Sequence, residues 1–463
     1  MDSPTSTTIS LVSLGCPKNL VDSETILGEL AAAGCVVSAR IEDADVAIVN
    51  TCGFLAAARE ESLAVISELV SLKQSGVLRR VVVAGCFAQR DGGDLRRQVP
   101  GVDAIIGLND RDRLIQAVLG DGEFTANRPY AARRRELGRD VTADDTGRLR
   151  LTPRHTAYLR VSEGCSQGCS FCTIPAICGP YRSKDPEQVL AEARELIADG
   201  TVELNVIGQD TTSYGRDIGY DAGLAGLVRR LDALDGARWI RMMYAYPSSV
   251  TYAMIDAMAD CEHVVKYLDL PLQHISDPIL KAMRRGITRS QTERLLDRLR
   301  TRIENLAIRT TFIVGFPGET DAMFDELLTF VKAFGFDALG VFEYSRESGT
   351  PAARLDNEVP LETRRQRREQ MMLAQQEIAF AANADCVGRS LTVLVDGVDP
   401  DGRCVARSTA QAPEVDSVCY LTDPRPAGEL VAGVVTDWAD YDLVVRPSPN
   451  TRRRRGRRTG AKR

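Results

Sequence analysis

Between residues 154 and 382 the sequence repeats one unit six times, a short apolar run rich in branched residues followed by a stretch at helical spacing. The runs are Tyr158–Ser162, Glu203–Gly208, Trp239–Tyr246, Lys266–Leu272, Arg309–Val314 and Ala338–Tyr344. Helices are expected near 187–199, 222–234, 250–260, 289–306 and 321–334, and a long charged one near 361–382 closes the set. Parallel strands need a crossover connection, and strands covered on both faces read as continuous apolar runs. Six such units predict a partial (β/α)6 barrel, open on one side, with its active face at the carboxyl ends of the strands.

The first of these strands runs into Glu163-Gly164-Cys165-Ser166-Gln167-Gly168-Cys169-Ser170-Phe171-Cys172. Two glycines make the loop pliable, so three thiolates can close around one small metal object. A 4Fe-4S cluster held by three cysteines keeps one iron free for a non-protein ligand, whereas a tetrahedral zinc site wants a fourth protein ligand. His155 upstream or Cys178 downstream are candidates for that fourth place. From the residues alone a zinc knuckle and an electron-transfer cluster therefore stay open.

Residues 8–120 alternate in the same way, with strands expected at Thr8–Gly15, Val46–Asn50, Val81–Ala84 and Val102–Ile106. The pattern predicts an open parallel sheet of Rossmann or flavodoxin type. Cys16, Cys52 and Cys86 follow the first three of those strands. Strand carboxyl ends line one edge of such a sheet, so residues distant in sequence converge there. A lone cysteine is usually a buried thiol, and a redox pair would leave the third unexplained. The three together predict a second three-cysteine cluster, again with an open iron.

Hydrophobic content of 44% and charged content of 26% are those of a globular protein. The opening residues are polar, so no secretory signal is expected, and no apolar stretch approaches the roughly 20 residues that span a bilayer. A cytoplasmic location follows, in which the 12 cysteines are metal ligands or buried thiols rather than disulfides. The net charge of -6 hides a contrast: residues 452–463 carry eight basic and no acidic side chains, and without them the remainder stands at -14. Such an acidic body favours a basic partner over a broad phosphate-binding surface. Residues 121–150 read as a polar linker, and 383–445 as short alternating strands with eleven acidic side chains against four arginines. Neither His263 nor His274 has a partner visible in sequence, and a structural role is expected for both.

Cys-x3-Cys-x2-Cys with Phe171 before its last cysteine resembles the signature of radical S-adenosylmethionine (SAM) enzymes. With the N-terminal cysteine pattern ahead of it, the chain resembles the methylthiotransferase family specifically. The resemblance implies two 4Fe-4S clusters and two SAM. One cluster, on Cys165, Cys169 and Cys172, is chelated by SAM and yields the 5'-deoxyadenosyl radical. The other, on Cys16, Cys52 and Cys86, delivers sulfur methylated by the second SAM. It further implies SAM contacts at strand ends: Gln209 and Asp210 on the methionyl or ribose part, Phe171 and the Gly315–Glu319 turn by the adenine, and Tyr246 at the end of the third strand. The C-terminal barrel resembles a TRAM domain that presents the substrate.

The motifs Gly15-Cys16-Pro17-Lys18-Asn19-Leu20-Val21-Asp22-Ser23-Glu24 and Gln209-Asp210-Thr211-Thr212-Ser213-Tyr214-Gly215 look like those of the branch that modifies the β carbon of an aspartate in ribosomal protein uS12. The tRNA branch, which 2-methylthiolates an adenosine and is the alternative, typically has glutamine after the first cysteine and asparagine where Asp210 stands. Cys178 departs from the family, where a basic residue is frequent. An acidic barrel suits a basic protein substrate. An electron donor of flavodoxin or ferredoxin type is implied, and the arginine-rich tail is a candidate for weak RNA contact. The expected divisions are 8–120 for the N-terminal methylthiotransferase domain, 121–150 linker, 151–382 radical SAM domain, 383–447 TRAM barrel and 448–463 tail.

Overall fold

The computed structural model describes residues 6–120, 122–137 and 142–449. Residues up to Ile378 form one compact unit and those from Ala379 a second. The basic tail expected at 448–463 lies almost wholly outside the described residues.

The first unit contains two parallel six-stranded sheets. In the first, the spatial order is Val36–Val37, Thr8–Ser13, Val46–Thr51, Arg80–Gly85, Ala104–Ile106, Phe124–Ala126. The order reverses between Thr8–Ser13 and Val46–Thr51, which pair in parallel from Ile9 opposite Val46 to Ser13 opposite Asn50. That reversal opens a crevice at the carboxyl ends of these strands, where ligands bind in such sheets. Alternate residues of each strand enter two apolar layers. Val46, Ile48 and Val82 pack with Ile26, Leu27 and Leu30 of the helix Pro17–Ala32. Ala47, Val49, Val81 and Val83 pack with Ile66 and Leu69 of the helix Ala56–Gln74 on the other face. Burial on both faces is why these strands read as unbroken Val/Ile runs, each such side chain contributing about 1.5–3 kcal/mol.

The second sheet has the order Ala338–Glu343, Ala307–Val314, Val264–Asp269, Trp239–Met242, Glu203–Ile207, Thr156–Arg160. The two terminal strands do not pair with each other, so the barrel is partial, with the helices Pro186–Ala198, Gly223–Asp232, Tyr252–Asp260, Arg289–Arg302 and Asp321–Phe334 in the crossovers. Each strand ends within a few residues of its expected place. The segment read as a linker contains order: Phe124–Ala126 pairs with Ala104–Ile106 and extends the first sheet, and Tyr130–Leu137 is helical. Three residues, Phe-Thr-Ala, are too few for a period to be seen.

Buried charges tie the two sheets together. Arg160, at the end of the first barrel strand, bonds Asp22 on the helix Pro17–Ala32 and, through Nε at 2.9 Å, Asp145. Lys184 Nζ lies 2.6 Å from both Asp145 and Glu192. On another side Glu347 holds Arg59 at 2.7 Å, Arg90 at 3.0 Å and the Ala56 amide at 2.9 Å.

The second unit is a closed five-stranded barrel in the order Ser390–Val398, Cys404–Ser408, Cys419–Leu421, Asp442–Pro447, Leu430–Ala439. It is antiparallel except at one seam. Cys419–Leu421 runs parallel to Asp442–Pro447, because the chain crosses from one edge to the other before the last hairpin closes the barrel. Among the described residues no helix is long and apolar enough to cross a membrane.

Candidate active site: two cysteine triads

Three backbone loops meet at the crevice of the first sheet, and glycines permit the approach. Cys16 is the N-cap of the helix Pro17–Ala32. A Cβ on the preceding Gly15 would stand 2.7 Å from Cys52 Cβ, one on Gly53 would stand 2.8 Å from the Cys86 carbonyl, and one on Gly85 would stand 2.3 Å from Asn50 Oδ1. Gly85 also has φ of +95°, a region L side chains rarely adopt. Asn19 and Asn50 staple the loops, Asn19 Nδ2 donating to the Leu14 carbonyl at 2.6 Å and Asn50 Nδ2 to the Asn19 carbonyl at 2.8 Å. Gly85→Ala is therefore expected to destabilise this sheet by about 2–5 kcal/mol, from backbone strain plus overpacking. The change is read as an earlier first transition in thermal unfolding.

The contiguous triad sits on the loop after Thr156–Arg160. Gly164, at φ +70°, lies so close to Pro180 that a Cβ would stand 2.2 Å from its carbonyl oxygen. The Cys165 amide donates to the Gly179 carbonyl at 3.3 Å, and that of Cys172 to the Cys169 carbonyl at 3.2 Å. Ser170 pins the loop to the segment after the fourth barrel strand, its amide donating to Met283 at 3.0 Å and its hydroxyl to Ala282 at 2.7 Å. From that segment Arg285 reaches in, with Nη1 3.3 Å from Cys169 Sγ and its guanidinium 4.2 Å over the Tyr246 ring. Tyr246 Oη lies 3.7 Å from the same sulfur and donates to the Arg285 carbonyl at 2.9 Å.

The two triads border one region. The short helix Ile174–Cys178 follows Cys172, and its Cys178 thiol comes within electrostatic range of Cys86. Gln209 Nε2 donates to Cys178 Sγ at 3.8 Å. Thr173 Oγ1 donates to the Phe54 carbonyl at 3.4 Å, just past Cys52. Lys18, two residues after Cys16, places Nζ 3.2 Å from the centre of the Tyr244 ring and 3.4 Å from the Gly208 carbonyl.

The other residues singled out from the sequence divide into two kinds. Phe171 packs in an apolar group with Phe316, Tyr344 and Met283, so it adjoins the Gly315–Glu319 turn. Gln209 and Tyr246 border the cysteines. Asp210 and Glu319 are buried and fully engaged by protein groups. Asp210 accepts from Gln167 at 2.6 Å and from the Thr212 and Ser213 hydroxyls at 2.6 Å each. Glu319 accepts from the Gly315 amide at 2.8 Å and from Arg367 at 2.8 Å. Both carboxylates shape their turns. His155 stands at the amino end of its strand, away from the cysteine loop, so it is no fourth ligand. His274 is buried and accepts from the Ser276 amide at 3.0 Å, and the His263 amide donates to Asp232 at 2.7 Å. Arg285 gave no signal in the sequence. Tyr244 lies in the strand end that also carries Tyr246, and Lys18 within the Gly15–Glu24 motif, but neither stood out there as a single residue.

The donor chemistry fits iron-sulfur clusters. Each triad offers three cysteine sulfurs in mutual electrostatic range. Among the described residues no three His, Cys, Asp or Glu side chains gather tightly enough to hold a single metal ion, and ligands spread over several irons need not. Burial pushes the Cys165 thiol up to about 11 and that of Cys172 to about 12. Without metal both should be alkylated at pH 8 about a hundredfold or more slower than an exposed cysteine, climbing about tenfold per pH unit because only the thiolate reacts. Iodoacetamide labelling followed by peptide mass analysis checks this.

A parallel partial barrel with a three-thiol loop after its first strand defines an enzyme of the radical SAM class, and residues 159–331 match the radical SAM superfamily model. Residues 8–107 match Uncharacterized protein family UPF0004, and 387–447 match the TRAM domain. The solved structure of the radical S-adenosylmethionine methyltransferase TsrM from Kitasatospora setae has a similar fold, with a TM-score of 0.51, 17% identity, and coverage of 79% of this chain and 85% of that one. OxsB, a cobalamin-dependent radical enzyme, gives 0.52 at 15% identity, covering 80% of this chain and 56% of its own.

Curated relatives narrow the class. Ribosomal protein uS12 methylthiotransferase RimO of Geobacter sulfurreducens is 43% identical over 439 residues, 94% of this chain and 97% of that protein. The RimO proteins of Geotalea uraniireducens and Solibacter usitatus are 41% and 43% identical, each over 94% of this chain. The chain belongs to the ribosomal protein uS12 methylthiotransferase RimO family.

Proposed function

We propose that this protein methylthiolates the β carbon of an aspartate in ribosomal protein uS12. The observation that carries the reading is the meeting of two separate cysteine triads within one compact unit, in a chain 43% identical to a RimO over nearly its whole length. In this reading Cys165, Cys169 and Cys172 hold one 4Fe-4S cluster and Cys16, Cys52 and Cys86 the other. When bound, the clusters and SAM supply hydrogen-atom abstraction and methylthio transfer, which side-chain acid-base chemistry does not offer at such a carbon.

The protein's own residues position and shield. Phe171, Tyr246 and the Gly315 turn border the SAM site. Gln209 stands between the two triads, and Asp210 and Glu319 keep the flanking turns in shape. Arg285 sets its guanidinium 3.3 Å from the Cys169 sulfur. Residues 8–120 carry the sulfur-delivering triad, 151–382 the radical chemistry, and the barrel within 383–447 receives the basic substrate. A cytoplasmic enzyme reduced by a flavodoxin- or ferredoxin-type donor completes the proposal.

Anaerobic reconstitution with iron and sulfide should load about eight irons per chain. Reductant, SAM and uS12 should then yield 5'-deoxyadenosine and a uS12 heavier by one methylthio group. Unmodified uS12 beside a methylthiolated tRNA adenosine would overturn the assignment.

A further inference from the structure

We infer that Lys18 recognises the side-chain carboxylate of the substrate aspartate. The inference deepens the proposed uS12 reading and rests on it. Lys18 sits in the first turn of the helix Pro17–Ala32, on the loop that also carries Cys16. Its ammonium touches the barrel at two strand ends, 3.4 Å from the Gly208 carbonyl and 3.2 Å above the centre of the Tyr244 ring. The amine therefore spans from the sulfur-delivering triad to the radical barrel. Lys18 is mostly buried where the first sheet meets the barrel, with part of its side chain left open to the crevice.

The ammonium is under-used. It has three N–H donors, of which one meets a carbonyl at the long end of hydrogen-bond range and the ring takes a share of the charge. Among the described residues no carboxylate lies within ion-pair distance of Lys18, and Asp269 acts on it only from farther off. Other cations of the radical barrel are committed. Arg182 pairs with Glu163 at 3.0 Å, Lys184 with Asp145 and Glu192 at 2.6 Å, and Arg285 donates to the Pro271 carbonyl at 2.6 Å. The surroundings add to the attraction for an anion. Cys16 makes no side-chain cap hydrogen bond, so the positive end of a 16-residue helix lies beside Lys18. Tyr244 keeps its ring under the ammonium from φ of +60°, a left-handed conformation that a tyrosine holds only where its surroundings impose it. A cation without an ion-pair partner, set between the Cys16 loop and the barrel strand ends, suits a substrate whose reacting carbon bears a carboxylate.

Two carboxylates are available in the reaction, that of the aspartate and that of SAM, and the test separates them. Reconstituted wild type, Lys18→Met and Lys18→Arg are compared on a uS12 peptide containing the target aspartate and on the same peptide with asparagine there. Binding is followed by fluorescence anisotropy, KM for SAM is measured separately, and iron per chain checks that the triads remain loaded. Wild type should bind the aspartate peptide about 10- to 100-fold more tightly than the asparagine one, the usual worth of a charge-assisted hydrogen bond. Lys18→Met should lose that preference, Lys18→Arg should regain most of it, and KM for SAM should not move. Preference retained in Lys18→Met, equal binding of both peptides by wild type, or a change confined to KM for SAM would each overturn the inference. If wild type methylthiolates uS12 but fails these measurements, the inference alone is lost; if it leaves uS12 unmodified, the function it rests on goes too.

Discussion

Changing Cys16, Cys52 and Cys86 together to alanine should abolish methylthiolation of uS12 while SAM is still cleaved to 5'-deoxyadenosine. Iron should fall from about eight to about four atoms per chain. The reason is the separate origin of the two triads. Cys165, Cys169 and Cys172 lie on one loop after the strand Thr156–Arg160, held by the Gly179 carbonyl and by Met283 and Ala282. None of those anchors belongs to the first sheet. Cys16, Cys52 and Cys86 come from three strand ends and are gathered by Gly15, Gly53, Gly85, Asn19 and Asn50. The converse triple variant of Cys165, Cys169 and Cys172 should lose both products, since nothing then removes the substrate hydrogen. Chromatographic measurement of 5'-deoxyadenosine beside mass analysis of uS12 separates the cases. Loss of SAM cleavage on removing Cys16, Cys52 and Cys86 would show that the triads do not divide the chemistry.

What was legible in the sequence was what repeats or what is spaced locally. The strands Val46–Thr51 and Arg80–Gly85 are buried at every position, so they read as unbroken apolar runs. The loop cysteines are separated by three and two residues because one short loop must deliver them all. The convergence of Cys16, Cys52 and Cys86 followed from strand order alone, since carboxyl ends share an edge. What was hidden depends on contacts between distant residues. Phe124–Ala126 is a strand only because Ala104–Ile106 offers it an edge. Asp210 and Glu319 were expected beside SAM, and that they also brace their turns through Gln167, Ser213, Arg367 and the Gly315 amide was not legible. Cys178 gave a departure from the family pattern, but its approach to Cys86 required two sheets to be docked.

Asp145→Ala should destabilise the first unit by about 3–5 kcal/mol, the cost of leaving buried charges unpaired. Burial alone would raise the Asp145 pKa, but Arg160 and Lys184 outweigh it and hold the carboxyl well below the usual range. Glu163 is likewise drawn down to about 2, burial being outweighed by Arg160 and Arg182. Carboxyls with depressed folded pKa values add stability that is complete above their unfolded values, near pH 4, and lost as pH falls through the folded ones. Wild type should therefore weaken progressively from about pH 4 toward pH 2, and Asp145→Ala should show a shallower fall over that range. Glu192, whose carboxyl burial pushes up, should protonate first and leave Lys184 to Asp145. The network also has a positional consequence. Arg160 closes the strand that leads into the cysteine loop, and Asp22, its other partner, lies on the helix whose N-cap is Cys16. Loosening Asp145 should thus shift one triad against the other, and methylthiolation should drop more than SAM cleavage. Thermal unfolding at pH 7 and pH 3, with both products measured below the first transition, checks the pair of effects; an unchanged product ratio would confine Asp145 to stability alone.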